Sequence, residues 1–339
     1  MNQKIKVLID QTRLITGHKA RVSGTYIKNL TESLEGLGDV ELIENYLNKP
    51  DLVHFPYFDP FFLTLPAHFE NPSVITVHDL IPLDHKEFFP VGIKATLKWK
   101  LQKHRLKKAR AIITDSEYSK QRITVLTGIN EKKIFAIPLA ADAIFKILPE
   151  KEILPIRKKY LLPKEFILYL GDVNPNKNVI RLVQAAEGFK YPLILAGRAF
   201  GGNSKESIEI KRLVKNSANS RIIGEIQQAA DLVRIYNAAY LTVVPSWDEG
   251  FGFPILESMA CGTPVATSSI SCLPEVGRDA AIYFNPYSVT DITKKINNAI
   301  KLSQNNYSIL VKKSLENNQY FTWRKTAKLT LDVYRKILS

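Results

Sequence analysis

The chain has 339 residues, 45% of them hydrophobic, enough to fill one large core or two ordinary ones, and two domains is the better expectation. Its only cysteines, Cys261 and Cys272, exclude a disulfide framework, and no histidine or further cysteine stands at zinc-ligand spacing beside them, so two small buried thiols in a reducing cytoplasm are expected. Lysine and arginine exceed aspartate and glutamate by 14, a balance open to nucleic acid, an anionic membrane surface or an anionic substrate.

Taken in chain order, the start leads straight into a strand pattern over residues 4–10, so no signal peptide is expected, and no tract is apolar and long enough to span a bilayer. Residues 23–37 have helical spacing, and β-rich runs follow at 52–56 and 73–79. Residues 90–110 carry no acid, and a helix is expected over 93–108. The first reading is a solvated surface helix whose leucines face the domain core; the second is a peripheral contact with an anionic membrane. Nucleic acid is set aside, because no base-stacking module or zinc spacing accompanies the charge. A strand over 111–116, a helix over 116–125 and a strand over 133–138 complete the first half.

A proline-punctuated charged stretch within 140–164 reads as a linker, after which strand runs recur at 166–172, 193–197, 221–226, 241–245, 264–269 and 281–285. Thr322 reads as the N-cap of a final amphipathic helix. Alternating strands and helices indicate an α/β fold of two parallel sheets with about five or six strands each. The expected domains are 1–143 with the terminal helix 320–339, and 144–319. Polar, Gly and Pro residues gather at the carboxyl ends of the runs, where open α/β sheets bind ligands, so two facing sheets would hold a site in the cleft between them.

The most specific segment is "PSWDEGFGFPILESMACGTPVATSSISCLPEV". Glu249 opens the loop Gly250-Phe251-Gly252, a helix begins near Pro254, and Glu257 falls a little over one turn into it. Backbone N–H groups at such a helix start, approached closely through glycines, suit an anion or hydroxyl, and two carboxylates could then meet neighbouring parts of one ligand. This segment resembles the signature of glycosyltransferase family 4, in which two glutamates frame a Gly-Phe-Gly loop. The likeness extends to "GDVNPNKN" at 171–178, "VITVHDLIPL", "IITDSEYSKQRI", "VSGTYIKNL" and "IGEIQQAADLVRIYNAA".

The resemblance implies the GT-B architecture: two Rossmann-like domains facing a cleft, with the C-terminal helix returning to the first. It implies that Glu257 accepts hydrogen bonds from the donor ribose and that Glu249 holds hydroxyls of the transferred sugar. The N–H groups of Gly250, Phe251, Gly252 and Phe253 would line the sugar and diphosphate. Lys177 would neutralise the diphosphate, Asn178 beside it would also bind the donor, and His78 would lie near the transferred sugar. Gly24 would let the first helix approach the phosphate, and backbone around Ile226 would hold the base. Many family members have an arginine at the position of Asp172; Arg198 is the first candidate to replace it.

The activity this implies is retaining, metal-independent transfer of a hexose from a GDP- or UDP-sugar to a glycan or lipid-linked acceptor, with mannose from GDP-mannose as first choice and no cofactor. The look of "GDVNPNKN" alone suggests mannose. A sugar-nucleotide epimerase or hydrolase of the same fold, and a non-catalytic nucleotide-sugar-binding protein, stay open. A cytoplasmic enzyme is expected, free or peripheral on the inner face of the membrane.

Overall fold

The computed structural model describes residues 4–12 and 22–339. Among these the chain forms two compact units, Met1–Ala140 with Phe321–Ser339, and Ala141–Tyr320.

The first unit holds β1 (Ile5–Ile9), β2 (Val40–Ile43), β3 (Leu52–Phe55), β4 (Ser73–Thr76), β5 (Ala111–Thr114) and β6 (Ile134–Ala136) in one parallel sheet of order β2-β1-β3-β4-β5-β6. Every residue of β3, β4 and β5 is buried, as in a parallel sheet covered on both faces. The sequence reading misses β2. That edge strand lies in a polar tract and buries only Val40 and Ile43, too little to show as a β-rich run.

The final helix, Trp323–Leu338, belongs to this unit and packs on the helix Val22–Glu35. The Thr322 side chain caps it by accepting from the Lys325 N–H. Tyr334 from this helix is fully buried, with its hydroxyl 2.6 Å from His54 Nδ1. His54 Nε2 lies 2.7 Å from Thr76 Oγ1, so both ring nitrogens are engaged. Burial, helped by nearby His78, pushes the His54 pKa down to about 3. His54 is a neutral structural histidine.

The second unit holds β7 (Ile167–Leu170), β8 (Leu193–Ala196), β9 (Ser220–Gly224), β10 (Leu241–Val244), β11 (Val265–Ser268) and β12 (Ala281–Phe284), parallel and in the order β12-β11-β10-β7-β8-β9. Strand order reverses between β10 and β7. At such a switch point the loops leaving neighbouring strands diverge and open a crevice at their carboxyl ends.

Two sequence expectations need correction. The stretch read as linker contains the helix Glu150–Lys159, with Pro155 inside it. Ile153 and Ile156 are buried in the second unit's core, and Arg157 donates to the carbonyls of Pro163, Lys164 and Ala238. That packing offsets the backbone bond the proline cannot make.

The basic helix spans Ile93–Lys108 as expected, but its apolar residues do not all face the core. Gln102 and Leu106 are buried, whereas Ile93, Leu97 and Leu101, spaced four apart on one face, are 82%, 60% and 41% exposed. No helix among the described residues is long and apolar enough to cross a membrane.

Candidate functional site

The expected site residues fall into two groups, one in each unit. In the second unit they converge on the β7/β10 switch point. The loop after β7 turns through Pro175–Lys177, and the loop after β10 carries Glu249. The two are tied by Asn176, whose Nδ2 donates to the Asp248 carbonyl at 2.9 Å while its own carbonyl accepts from the Trp247 N–H at 2.9 Å. Lys177 Nζ then lies 2.7 and 2.8 Å from the two carboxylate oxygens of Glu249. Ser246 Oγ donates to Oε1 of the same carboxylate at 2.7 Å. The sequence gives Lys177 and Glu249 separate tasks; folded, they form one ion pair.

Asn178 does a different job from the one expected of it. Its side chain is buried and donates through Nδ2 to the carbonyls of Pro245 at 3.0 Å and Pro286 at 2.8 Å. Its backbone is left-handed, φ 55°, a conformation asparagine tolerates better than most residues. The amide therefore pins the Lys177 loop to the loops after β10 and β12, and its side chain is not presented to a ligand.

The Gly-rich loop is held from beneath. Ser271 Oγ accepts from the Glu249 N–H at 3.0 Å, and the buried Cys272 thiol donates toward the carbonyls of Glu249 and Phe251 at 3.1 and 3.2 Å. Phe251 is buried, its ring edge-on to Phe253 with centroids 5.4 Å apart. Gly252, at φ 102°, starts the helix Phe253–Ala260; a Cβ there would stand 2.8 Å from Leu273 Cδ2. Its N-cap, Gly252, has no side chain to cap it, and the helix start puts the positive end of its dipole at the loop that begins with Gly250.

One turn into that helix, Glu257 Oε2 accepts from the buried Tyr236 hydroxyl at 2.7 Å. Burial pushes the Glu257 pKa up to about 7; the Tyr236 hydrogen bond opposes this and Asp142 adds to it. Beside these, the Asp172 carbonyl accepts from the Tyr169 hydroxyl. Arg198 is exposed at the end of β8, next to Gly197, whose backbone packs so closely that a Cβ would come within 2.0 Å of the Gly171 carbonyl oxygen. The loops after β7 and β8 thus touch, and Arg198 follows the point of contact. Ile226 lies beyond β9, buried in a core cluster with Ile156 and Tyr236.

In the first unit, Gly24 sits in the first turn of the helix Val22–Glu35, two residues before the fully buried Tyr26. The Tyr26 ring stands edge-on to His78, centroids 4.9 Å apart. His78 follows β4, and its Nδ1 is 2.8 Å from the buried Asp115 carboxylate beyond β5. Asp115, Tyr236, Ser246 and Cys272 were missed from sequence. Only Asp115, inside "IITDSEYSKQRI" at a strand end, carried a signal that could have marked it.

Residues 20–143 match the family described as Glycosyltransferase Family 4, and residues 152–319 match Glycosyl transferases group 1. The chain is 31% identical over 308 residues to the serotype-specific mannosyltransferase WbdA of Escherichia coli, covering 85% of this chain but only 37% of that protein. It is 30% identical over 295 residues to O-antigen chain mannosyltransferase B of Escherichia coli, covering 84% and 75%. Among solved structures, a sucrose-phosphate synthase from Thermosynechococcus elongatus superposes with a TM-score of 0.76 at 20% identity, covering 98% of this chain and 99% of that one. HepE of Anabaena, solved with UDP and glucose, gives 0.74 at 17%, covering 98% and 100%. The two six-stranded parallel sheets are those of the GT-B architecture, and the chain belongs to glycosyltransferase family 4, the glycosyl transferases group 1.

Proposed function

We propose that the chain transfers a hexose, first of all mannose from GDP-mannose, to a glycan or a lipid-linked glycan with retention of configuration, without a metal or cofactor. The observation that carries this reading is the Lys177–Glu249 pair, set beside the helix start at Gly252 at the β7/β10 switch point. An anionic diphosphate fits between a lysine and a positive helix end. The printed names of the relatives, mannosyltransferases of O-antigen synthesis, favour mannose. HepE, solved with UDP and with UDP-glucose, supports a nucleotide-sugar donor.

In the transfer, an acceptor hydroxyl oxygen bonds to the anomeric carbon as the bond from that carbon to the β-phosphate oxygen breaks, and the hydroxyl proton passes to the departing phosphate. Lys177 and the helix start stabilise the charge growing on that phosphate. Glu249, released as Lys177 turns to the diphosphate, offers its acceptor oxygens to sugar hydroxyls. Arg198 takes the place of the arginine that Asp172 displaces. Gly250, Phe251, Gly252 and Phe253 line the donor, Glu257 holds the ribose, and backbone near Ile226 takes the base.

The test is a thermal-shift panel of GDP- and UDP-sugars, followed by product analysis with and without a glycan extract. A ligand at about 100 times its Kd adds about 2.7 kcal/mol to stability. GDP-mannose is expected to give the largest shift and acceptor-dependent release of GDP. Rapid conversion of the donor without acceptor would identify an epimerase or hydrolase instead, and shifts with no product a binding protein.

A peripheral place on the cytoplasmic face of an anionic membrane belongs to the same reading. It is supported by the exposed stripe Ile93, Leu97 and Leu101, flanked by the exposed Lys94, Lys98 and Lys100. Phe62, also exposed, extends the stripe: Lys98 Nζ lies 5.5 Å from its ring centroid. Gln102 and Arg105 hydrogen-bond the neighbouring carbonyls of Asp59 and Leu65. Each basic residue near an anionic surface contributes about 1 kcal/mol. Vesicles with about one-third phosphatidylserine should carry the protein in flotation at low salt and lose it at high salt. The double variant Lys94→Glu/Lys98→Glu should lower partitioning roughly tenfold or more. Flotation indifferent to anionic lipid and to salt would dispose of this placement.

A further inference from the structure

We propose that Asp115 is a positioning residue for His78: it accepts the hydrogen bond from Nδ1–H and fixes the ring so that Nε2 is the nitrogen left for the transferred sugar. The proposal rests on the transferase reading above and adds to it a residue that has no role in that reading.

The argument starts from strand register. Thr76 of β4 pairs with Ile113 of β5, so His78 and Asp115 each stand two residues beyond a paired position, side by side past the carboxyl ends of neighbouring strands. The Val77 N–H donates to the Ile113 carbonyl at 2.9 Å and keeps that alignment to the last residue before His78. Asp115 Oδ2 is 2.8 Å from His78 Nδ1. The other carboxylate oxygen is buried without a partner among the described residues, so no described residue competes with His78 for the charge.

The ring is braced from the side by Tyr26. That tyrosine is fixed in turn through its hydroxyl, 2.9 Å from Thr76 Oγ1, which also meets His54 Nε2. A second histidine in the same unit supplies the contrast. Both nitrogens of His54 are satisfied, whereas His78 Nε2 is buried and has no partner among the described residues. Leaving a buried polar nitrogen unpaired costs about 1–3 kcal/mol, and native structures keep such a group where a ligand completes it.

The electrostatics agree with the geometry. Burial works against charge on the His78 imidazole, but the Asp115 carboxylate outweighs it, with help from Asp79 and the Pro56 carbonyl, and holds the His78 pKa above the usual histidine value. His54, held neutral, and Tyr26, whose phenol burial keeps protonated, add no charge of their own. Burial raises the Asp115 pKa as well, opposed by His78, so the two groups share one proton balance, and the upward direction at His78 favours a protonated Nε2 that donates. This is the orienting task a carboxylate performs for an imidazole wherever the tautomer must be fixed.

Asp115→Asn keeps the shape and one acceptor oxygen but removes the charge, and its imidazole nitrogens can be followed by 15N NMR across about pH 5–9. Wild-type His78 should lose its proton from Nε2 at a pH above the ordinary histidine value and keep Nδ1 protonated throughout. In Asp115→Asn the midpoint should fall, and the fixed tautomer should be lost. With GDP-mannose or whichever donor is turned over, kcat should drop about 10–100-fold with donor KM nearly unchanged, as for loss of a well-aimed donor group. Asp115→Glu should not restore it.

An unchanged titration and tautomer in Asp115→Asn, in an enzyme that transfers sugar, overturns the proposal alone. So does an altered titration with kcat intact. Wild-type protein inert toward every nucleotide sugar would bring down the transferase reading and this proposal with it.

Discussion

Glu257→Ala is expected to weaken binding of a nucleoside diphosphate by about 1.5–3 kcal/mol, roughly 10–150-fold in Kd, the worth of hydrogen bonds to a charged acceptor. Alanine also strips the acceptor from the buried Tyr236 hydroxyl, so Glu257→Gln is the cleaner companion: it keeps an oxygen for Tyr236 and removes only the charge. Because burial pushes the Glu257 pKa up to about 7, the carboxylate that ribose hydroxyls need is scarce at lower pH. Affinity for GDP or UDP should therefore rise about tenfold per unit up to about pH 7 and level off above it, and Glu257→Gln should flatten this dependence.

Stability should move the opposite way. A carboxyl whose folded pKa is raised from the ordinary 4.5 to about 7 contributes fully while protonated, and that contribution is lost as pH rises through the interval. Wild-type stability, measured relative to Glu257→Gln, should fall from about pH 4.5 to about 7 while nucleotide affinity climbs. Calorimetric titrations and thermal melts at four pH values would check both slopes. Affinity unmoved by either substitution removes Glu257 from the ribose.

Asn178→Asp should destabilise the second unit by about 3 kcal/mol or more. The Asn178 amide donates to two carbonyls, those of Pro245 and Pro286. An aspartate would leave both without a donor and set carboxylate oxygens against them, at about 1–3 kcal/mol for each unsatisfied group. Aspartate tolerates the left-handed backbone almost as well as asparagine, and the Arg181 guanidinium, which donates to Asn178 Oδ1 at 2.9 Å, would offset part of the loss by pairing with the new carboxylate. The measure is the denaturant midpoint at constant slope. A loss under about 1 kcal/mol would mean that the amide does not tie these loops together. Because Lys177 is the preceding residue, whatever folded protein remains should also bind nucleotide more weakly.

Most of the fold is legible in the linear chain. Apolar runs such as residues 193–197 and 241–245 are short, buried and bounded by Gly or Pro, a pattern only an interior parallel strand satisfies. The edge strand β2 escaped because half of it faces water. The signature around Glu249 and Glu257 was legible because a loop, a helix start and a second acid follow one another along a single stretch of chain.

Only the tertiary structure decided what these residues do to one another. Lys177 and Glu249 are 72 positions apart and meet as an ion pair, Glu257 receives the hydroxyl of Tyr236, and His78 finds Asp115 across two strands. It also turned Asn178 inward and Leu97 outward. Local pattern fixes which face of an element is apolar; it does not fix which neighbour, if any, will cover that face. That choice belongs to strand order and loop contact, which bring together groups that the linear chain keeps apart.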